Sequence, residues 1–277
     1  MHFLRVCVSV LAAVSVIVTA IFTIADFSRK NPPVIKCDSG EIIEVPTKTS
    51  DKELLKYVTA FDEEDGDLTE NIIVERQNYF LEKGLTTGSG GNISILNKEK
   101  GLVAISPSGK DYFQTKVEDI VILDLEGNVV EGDLEPSSEK DMHLIFYKNR
   151  KEARAVVHTH SKYATAISSM GWDLKPVHYL IGFAGEDVKC AEYAIYGSKE
   201  LAENAMEAIK GRNAVLLANH GLITLGEDID DAFSTAEQLE YVSEIYYLTK
   251  TLGEPKLLSE DQMEEVMKKF GTYKYNK

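Results

Sequence analysis

The sequence has little cysteine and few basic residues. Its three cysteines, Cys7, Cys37 and Cys190, are odd in number and far apart, which indicates neither a disulfide framework nor a CxxC metal site. Only 30 lysines and arginines stand against 45 aspartates and glutamates, so the formal net charge is −15. Because nucleic-acid binding depends on clustered basic side chains, we expect no nucleic-acid partner. A small anionic substrate is compatible with this charge, since local amide groups or a metal ion can bind one.

The overall composition is that of a globular protein. The chain has 277 residues, of which 44% are hydrophobic and 27% charged, and this excludes a wholly disordered or collagen-like chain. A chain of this length can bury a full core and can hold one large domain or two smaller ones.

The first 30 residues differ from the rest of the chain. The stretch "FLRVCVSVLAAVSVIVTAIFTIA" (residues 3–25) contains a single charged residue, Arg5, and as a helix it is long enough to cross a hydrocarbon core of about 30 Å. It is either a membrane anchor or an uncleaved signal segment. The segment "VTAIFTIADF" at the end of this stretch fits a small-x-small cleavage site poorly, which favours a transmembrane anchor over residues 1–30.

Residues 31–74 are acidic and β-type in character. Short β-type runs at residues 34–35, 42–45 and 72–74 are interrupted by proline, glycine and an acidic turn. The stretch "AFDEEDGDLTENIIV" resembles part of the repeated immunoglobulin-like modules of bacterial cell-surface proteins. A solvated acidic linker is an equally good interpretation of this leader.

From about Glu75 to the end, helix and strand signals alternate, which predicts one layered α/β domain over residues 75–277. A short amphipathic helix, "RQNYFLEKGL", is predicted to end at Gly84. Apolar runs typical of strands cover residues 101–106, 119–125, 155–160 and 213–226, the last with a break at Gly221. Helical spacing of apolar residues covers residues 137–150, 198–211 and 228–253.

Three histidines form the candidate metal site. In "AVVHTHSKYATAIS", His158 and His160 are two apart, so on a strand they point to the same side. In "LLANHGLITLG", His220 ends an apolar strand at a turn and offers a third ligand. Three histidines with one open coordination position are typical of catalytic zinc. Polar residues on a half-exposed strand are the alternative. The other histidines, His2, His143 and His178, have no such neighbours in the sequence.

Three clusters of small residues precede these histidines. "TTGSGGNIS" (86–94) and "SPSGKDY" (106–112) can turn backbone amides toward an anion, and "PSSEKD" (136–141) lies at a helix start, where the dipole favours phosphate. Each alone is typical of an ordinary turn or cap. Together with the histidines they indicate a phosphate pocket beside a metal. Glu139 lies in the third cluster, and a carboxylate beside a metal-polarised carbonyl can remove an α-proton, although it also suits a helix start without chemistry.

From about Arg76 onward the chain resembles the class II zinc aldolases, a family that includes L-fuculose-1-phosphate aldolase and L-ribulose-5-phosphate 4-epimerase. The resemblance lies in "GLTTGSGGNIS", "ISPSGKDY", "PSSEKDMHLIFY", "AVVHTHSKYATAIS", "PVHYLIGFAG", "YAIYGSKEL" and "LLANHGLI". It implies a three-layer α/β/α fold, a cyclic homotetramer, and a phosphorylated sugar as substrate.

The resemblance also implies roles for individual residues. It makes His158, His160 and His220 the ligands of Zn2+ and Glu139 the catalytic acid/base. Tyr179 matches a tyrosine that the neighbouring subunit lends to protonate the aldehyde oxygen. The substrate phosphate would be bound by Ser89, Gly91, Asn92, Ser108, Gly109, Ser137 and Ser138. The terminal "KKFGTYKYNK" resembles the end of the fuculose enzyme, which makes Tyr273 a candidate for closing over the substrate, with disorder at the chain end as the alternative.

Two features favour an aldolase over an epimerase. Glu139, rather than aspartate, follows the paired serines, and "VHYLIGFAG" replaces a stretch that carries a second aspartate in the epimerase. We therefore expect cleavage of L-fuculose 1-phosphate, or a close ketose 1-phosphate, to dihydroxyacetone phosphate and L-lactaldehyde. The alternatives are an epimerase or another sugar-phosphate aldolase and, in a different class, a membrane-anchored surface protein with a non-catalytic aldolase-like body.

Residues 1–74 have no counterpart in the family that the rest of the chain resembles, because members of that family have no transmembrane segment and begin with a longer helix. The join near residue 74 predicts a fusion, either natural or from an assembly error, with a shortened first helix that would weaken packing and tetramer formation. Since sugar phosphates are cytosolic, we expect the anchored catalytic domain to face the cytoplasm.

Overall fold

The computed structural model describes residues 69–275 continuously, and before them only the backbone of six short strands. The chain divides into two units, Met1–Leu68 and Thr69–Lys277. In the first unit, the strands pair antiparallel in twos. They are Phe3–Cys7 with Ile42–Pro46, Ser9–Leu11 with Ser15–Ile17, and Phe61–Asp62 with Gly66–Asp67.

The predicted transmembrane segment, residues 3–25, finds no support in the described residues. Three of the short strands lie within it, and no helix in the described part of the chain is both long and apolar enough to cross a membrane. Of the predicted β-type runs in the leader, residues 42–45 fall in a strand and residues 34–35 lie outside the described residues. The cytoplasmic orientation of the catalytic domain stays a prediction.

The second unit is built on an eight-stranded sheet. The strands are β1 (Asn92–Asn97), β2 (Leu102–Ile105), β3 (Val121–Asp124), β4 (Val129–Glu131), β5 (Ala155–Thr159), β6 (Lys189–Ala191), β7 (Ala214–Leu217) and β8 (Gly221–Gly226). Their spatial order is β4-β3-β2-β1-β5-β8-β7-β6, and every neighbouring pair is antiparallel except β6 with β7.

Helices cover both faces of this sheet, as the three-layer prediction required. The helices are α1 (Thr69–Glu82), α2 (Lys140–Asn149), α3 (Lys162–Ser169), α4 (Lys199–Ala208), α5 (Ile229–Leu252) and α6 (Glu260–Tyr275). Helices α2 and α4 pack on one face of the sheet, and α1, α3 and α5 pack on the other. Helix α6 packs against a short 3-10 helix, Tyr179–Phe183.

The two cores follow from the period of a strand, because successive side chains point to opposite faces. In β5, Val156 joins the core beneath α2 and α4, whereas Ala155 and Val157 join the core beneath α1 and α5. Every residue of β5 is buried, so the strand that carries His158 lies in the interior of the sheet.

Helix α1 corrects the predicted start of the domain. Residues 72–74 were expected to be β-type, and the domain was expected to begin at Glu75 with a shortened helix, but α1 starts at Thr69 and includes them. Ile73 and Phe80 lie seven residues apart on one face of α1 and are fully buried. Their packing against the sheet outweighs the β-propensity of the sequence "IIV".

The apolar stretch at residues 213–226 forms two strands instead of one. Strands β7 and β8 pair antiparallel through Leu217 and Gly221, and the turn between them contains Asn219 at φ 56° and His220. Asparagine tolerates this left-handed conformation better than most residues. The break that the sequence indicated at Gly221 is thus a hairpin turn that carries His220.

We predict that Phe80→Ala destabilises the second unit by about 3–5 kcal/mol, because it removes a fully buried ring and leaves a cavity. The ring of Phe80 lies 4.9 Å from that of Phe233 and 6.1 Å from that of Tyr112, measured between centroids. Urea unfolding of the full chain measures the change. The control is Phe113→Ala, which truncates an exposed ring and should change stability by less than about 0.5 kcal/mol. Equal effects of the two substitutions would contradict the packing of α1 into this core.

Candidate functional site

The three candidate metal ligands meet at one end of β5 and β8. His158 lies in β5, His160 follows it after one residue, and His220 lies in the turn that precedes β8. Strands β5 and β8 are neighbours, with Thr159 opposite Leu222. The three imidazole rings lie 4.8, 4.8 and 5.1 Å apart between centroids. With Glu139, they offer four ligand atoms that all lie within 4.8 Å of one another.

Hydrogen bonding orients the innermost ring. The Nδ1 atom of His158 lies 3.0 Å from the carbonyl oxygen of Leu222, to which it donates, so its Nε2 carries a lone pair directed at the cluster. That Nε2 lies 3.0 Å from Nε2 of His160. Two imidazole nitrogens this close together can bind the same cation.

Burial keeps two of the imidazoles neutral. Desolvation, and after it the neighbouring imidazoles, lower the pKa of His158 well below its ordinary value. Desolvation, with a smaller effect of His220, lowers the pKa of His160 to about 4. Only a neutral imidazole has the lone pair that binds a metal, so these rings are ready to act as ligands at neutral pH.

Two glycines allow the backbone to approach His160. A Cβ atom at Gly90 would lie 2.6 Å from Nδ1 of His160, and one at Gly221 would lie 2.2 Å from the carbonyl oxygen of Thr159. No side chain fits at either position unless the histidine loop moves. The glycine-rich segment at residues 86–94 therefore packs directly on the metal-ligand cluster, as well as lining a cleft.

Glu139 lies at the residue before α2 and is buried among the histidines. Its Oε2 accepts a hydrogen bond from Nδ2 of Asn92 at 2.9 Å and lies 3.4 Å from Nε2 of His158. Its Oε1 lies 3.3 Å from Nε2 of His220 and is buried without a hydrogen-bond partner in the described part of the chain. A buried carboxylate oxygen normally has a partner or faces a cation. This unpartnered oxygen beside three imidazole nitrogens fits a divalent metal.

A cleft of about 380 Å³ opens beside these residues. All seven predicted phosphate-binding residues line it, together with Glu139, His160 and His220. His158 is fully buried and is not among the lining residues. No lysine or arginine is among the described residues that line the cleft, so an anion there would depend on amides, hydroxyls and the metal for binding.

The structure adds residues that the sequence did not single out. Tyr193 and Tyr196 line the cleft from the loop before α4, with exposed side chains. The hydroxyl of Tyr112 donates to the carbonyl oxygens of Gly90 and Gly91, at 2.6 Å each, and so holds the glycine-rich loop. The segments "ISPSGKDY" and "YAIYGSKEL" carry these tyrosines, but a tyrosine in a loop has no spacing rule that predicts its partner.

His143 is the clearest omission of the sequence interpretation. No neighbour in the sequence indicates a partner for it, but the structure buries it completely, with its Nε2 in contact with Oδ1 of Asn92. Asn92 in turn donates to Glu139, so its side chain joins the buried His143 to the carboxylate in the cleft. No spacing rule links a helix residue to a strand residue about fifty positions away.

Two predicted residues do not join the cleft. Tyr179 begins the short 3-10 helix, is 53% exposed and is not among the cleft-lining residues. Its nearest aromatic neighbour is His178, 4.7 Å away between ring centroids. Tyr273 falls within α6, but its side chain lies outside the described residues.

Comparison with known proteins agrees with this arrangement. The profile of the family "Class II Aldolase and Adducin N-terminal domain" matches residues 71–247. A "5-deoxy-D-ribulose 1-phosphate aldolase" of Bacillus thuringiensis serovar kurstaki is 56% identical over 201 residues, which cover 73% of this chain and 94% of that protein. An "L-fuculose phosphate aldolase" of Haemophilus influenzae is 41% identical over 192 residues, or 69% of this chain and 88% of that protein.

A solved structure gives the same result. It is titled "L-fuculose 1-phosphate aldolase", is 46% identical, and superposes with a TM-score of 0.72 over 73% of this chain and 96% of its own. The profile match covers more than half of the chain, and the match begins within α1, as the corrected start of the second unit requires. The chain therefore belongs to the class II aldolase family and is an aldehyde-lyase by that membership.

Proposed function

We propose that the second unit is a zinc-dependent aldolase that cleaves a ketose 1-phosphate ending in a methyl group. The observation that carries this is the buried Glu139 carboxylate, which shares one cluster with three histidines beside a cleft lined by amides and hydroxyls. The cleaved bond is C3–C4, and the products are dihydroxyacetone phosphate and a small aldehyde.

The first candidate substrate is 5-deoxy-D-ribulose 1-phosphate, which would give acetaldehyde as its second product. The relative with that activity in its name is 56% identical to this chain. The second candidate is L-fuculose 1-phosphate, which would give L-lactaldehyde. It is supported by a relative that is 41% identical and by a solved structure that is 46% identical. Both substrates carry one phosphate at C1 and a methyl group at the other end.

His158, His160 and His220 would hold the metal, with Glu139 near enough to act as a further ligand or to leave that role. Zinc is the ion we propose, because three neutral imidazoles with an open position suit it. When bound, the metal acts as a Lewis acid toward the carbonyl and hydroxyl oxygens of the substrate. The phosphate would bind to the hydroxyl and amide groups of the other cleft residues, which orients the ketose with its carbonyl toward the histidines.

Glu139 would hold and move the proton at C3. In cleavage, the C4 hydroxyl passes its proton to solvent by way of the Tyr179 hydroxyl, and the C3–C4 bond breaks with its electron pair remaining on C3. Glu139, which carries a proton at the start, delivers it to C3 and is then reprotonated from solvent. In condensation, the same carboxylate removes that proton from dihydroxyacetone phosphate. When Glu139 is not a metal ligand, its Oε1 atom can carry this proton, because no hydrogen bond from the described residues occupies it.

The Tyr179 hydroxyl would accept the proton from the C4 oxygen in cleavage and return it in condensation. It would do so in the site of a neighbouring subunit. Its ring is exposed and lies away from the cleft of its own chain, which supports a role between subunits. We propose a homotetramer with its active sites at the interfaces between subunits, so that each site uses Glu139 of one subunit and Tyr179 of the next.

A substrate comparison tests the proposed reaction. The zinc-loaded full chain should release dihydroxyacetone phosphate from 5-deoxy-D-ribulose 1-phosphate and from L-fuculose 1-phosphate, and a chelator should abolish the release. L-ribulose 5-phosphate should give none. Enzyme-coupled detection of dihydroxyacetone phosphate measures all three. Epimerisation of L-ribulose 5-phosphate without cleavage of either ketose 1-phosphate would contradict the proposal.

Glu139→Gln should lower kcat by roughly 10²- to 10⁴-fold, because the amide cannot accept or return the proton, while the bound zinc remains at its wild-type content. Elemental analysis measures the zinc, and steady-state kinetics measure kcat. The matched control is Glu118→Gln, which neutralises an exposed carboxylate paired with Lys116. Unchanged turnover in Glu139→Gln would contradict the assigned role.

Mixed tetramers test where Tyr179 acts. Glu139→Gln and Tyr179→Phe should each be nearly inactive alone, but co-expression with two different purification tags should restore roughly a quarter of the sites, because random pairing joins two unchanged residues that often. Mixing the two purified proteins without reassembly is the control and should stay inactive. Co-expressed tetramers without activity, or a fully active Tyr179→Phe, would refute a site shared between subunits.

A further inference from the structure

A buried line of hydrogen-bonded side chains runs from Glu139 into the core beneath α2. After Asn92, it passes through His143, whose Nε2 contacts Oδ1 of Asn92, and through Ser94, whose Oγ lies 2.7 Å from Nδ1 of His143. It ends at Tyr147, whose hydroxyl lies 2.7 Å from the same Oγ. All four side chains are buried. We refer to Asn92, His143, Ser94 and Tyr147 as the buried hydrogen-bond chain.

Two periodicities create this arrangement. Glu139, His143 and Tyr147 are spaced by four residues at the start of α2 and along it, so they share one side of the helix. Asn92 and Ser94 are two apart on β1, so they share one face of the strand. The helix face packs on the strand face, and their polar residues alternate in the hydrogen-bond chain.

The acceptor-only character of a carboxylate fixes the direction of every donor in this chain. Asn92 must direct its NH₂ group to Glu139, which leaves its Oδ1 in need of a donor. His143 must therefore carry its proton on Nε2, and its Nδ1 must accept from the hydroxyl of Ser94. The oxygen of Ser94 is then free to accept from the hydroxyl of Tyr147.

Burial of His143 and Tyr147 favours the uncharged form of each side chain. Burial lowers the pKa of His143 to about 3, so the ring stays neutral and Nδ1 remains an acceptor. Burial also raises the pKa of Tyr147, so its hydroxyl keeps the proton that it donates. Buried polar networks of this kind stabilise one arrangement when every member has a partner.

We propose that His143, held in its Nε2–H tautomer by Ser94 and Tyr147, is a positioning residue that fixes the Asn92 amide and through it the Glu139 carboxylate. Without the donor on His143, the Asn92 amide can turn over and present its oxygen to the carboxylate, which repels it. Glu139 would then lose the contact that holds Oε2 and leaves Oε1 for the proton. This inference rests on the proposed function, because it assigns His143 to the same acid/base step.

Two substitutions at His143 separate positioning from packing. His143→Leu has a similar volume and removes both ring nitrogens, and it should lower kcat by roughly 10- to 100-fold, with KM changed by less than about threefold and the zinc content unchanged. His143→Gln keeps an N–H donor near the position of Nε2 and should recover most of kcat. Met142→Leu, a buried neighbour on α2, is the packing control and should keep wild-type kcat.

A readout without turnover completes the test. The ¹⁵N–¹H spectrum of the zinc-loaded full chain with labelled histidine shows which ring nitrogen carries the proton, and the signals missing from His143→Gln identify His143. We expect the Nε2–H tautomer. The spectra need the wild-type protein and His143→Gln but not His143→Leu, so the inference stays testable even if His143→Leu does not fold.

The outcomes distinguish this inference from the proposed function. A wild-type chain that cleaves no ketose 1-phosphate refutes the function, whereas the tautomer is read independently of the substrate. A proton on Nδ1, or on both nitrogens, overturns the positioning role. So does equal kcat in wild type and His143→Leu, or an equal loss in His143→Leu and His143→Gln.

Discussion

The site depends on burying the Glu139 carboxylate among three imidazoles, with one of its oxygens unpartnered in the described part of the chain. Burying a charge without compensation is costly, and four groups whose ligand atoms lie within 4.8 Å of one another are most favourable around a cation. The lowered pKa values of His158 and His160 mean that these two imidazoles are uncharged near neutral pH and do not supply that positive charge. A divalent metal satisfies the carboxylate and the three nitrogens together.

Two neighbouring buried strands of the sheet position this cluster. His158 lies in a fully buried strand of the sheet, and the pairing of β5 with β8 brings the turn with His220 beside it. Gly90 and Gly221 let backbone pack directly against the histidine loop. The cleft contains no basic side chain among its described lining residues, so the metal would supply the principal positive charge for a phosphorylated substrate in a chain of net charge −15.

Local periodicity made much of this predictable from sequence. The spacing of His158 and His160, the turn at His220 and the small-residue clusters follow rules that act over a few residues. The structure brings the three histidines into one cluster, and His160, His220 and the small-residue clusters line one cleft. The start of α1 was missed because Ile73 and Phe80 are helical through tertiary packing, against the β-propensity of their neighbours. His143 was missed because its partners lie on β1, far away in the chain. The role proposed for Tyr179 requires a neighbouring subunit, and no rule of local spacing places a residue in the site of another chain.

The most direct test of the central claim is a crystal structure of the zinc-loaded full chain, with anomalous diffraction measured on both sides of the zinc absorption edge. The account predicts one anomalous peak about 2.0–2.1 Å from Nε2 of His158, His160 and His220, with the Glu139 carboxylate beside it. A zinc-loaded protein whose anomalous peak lies elsewhere, or whose three histidines hold no metal, would contradict it.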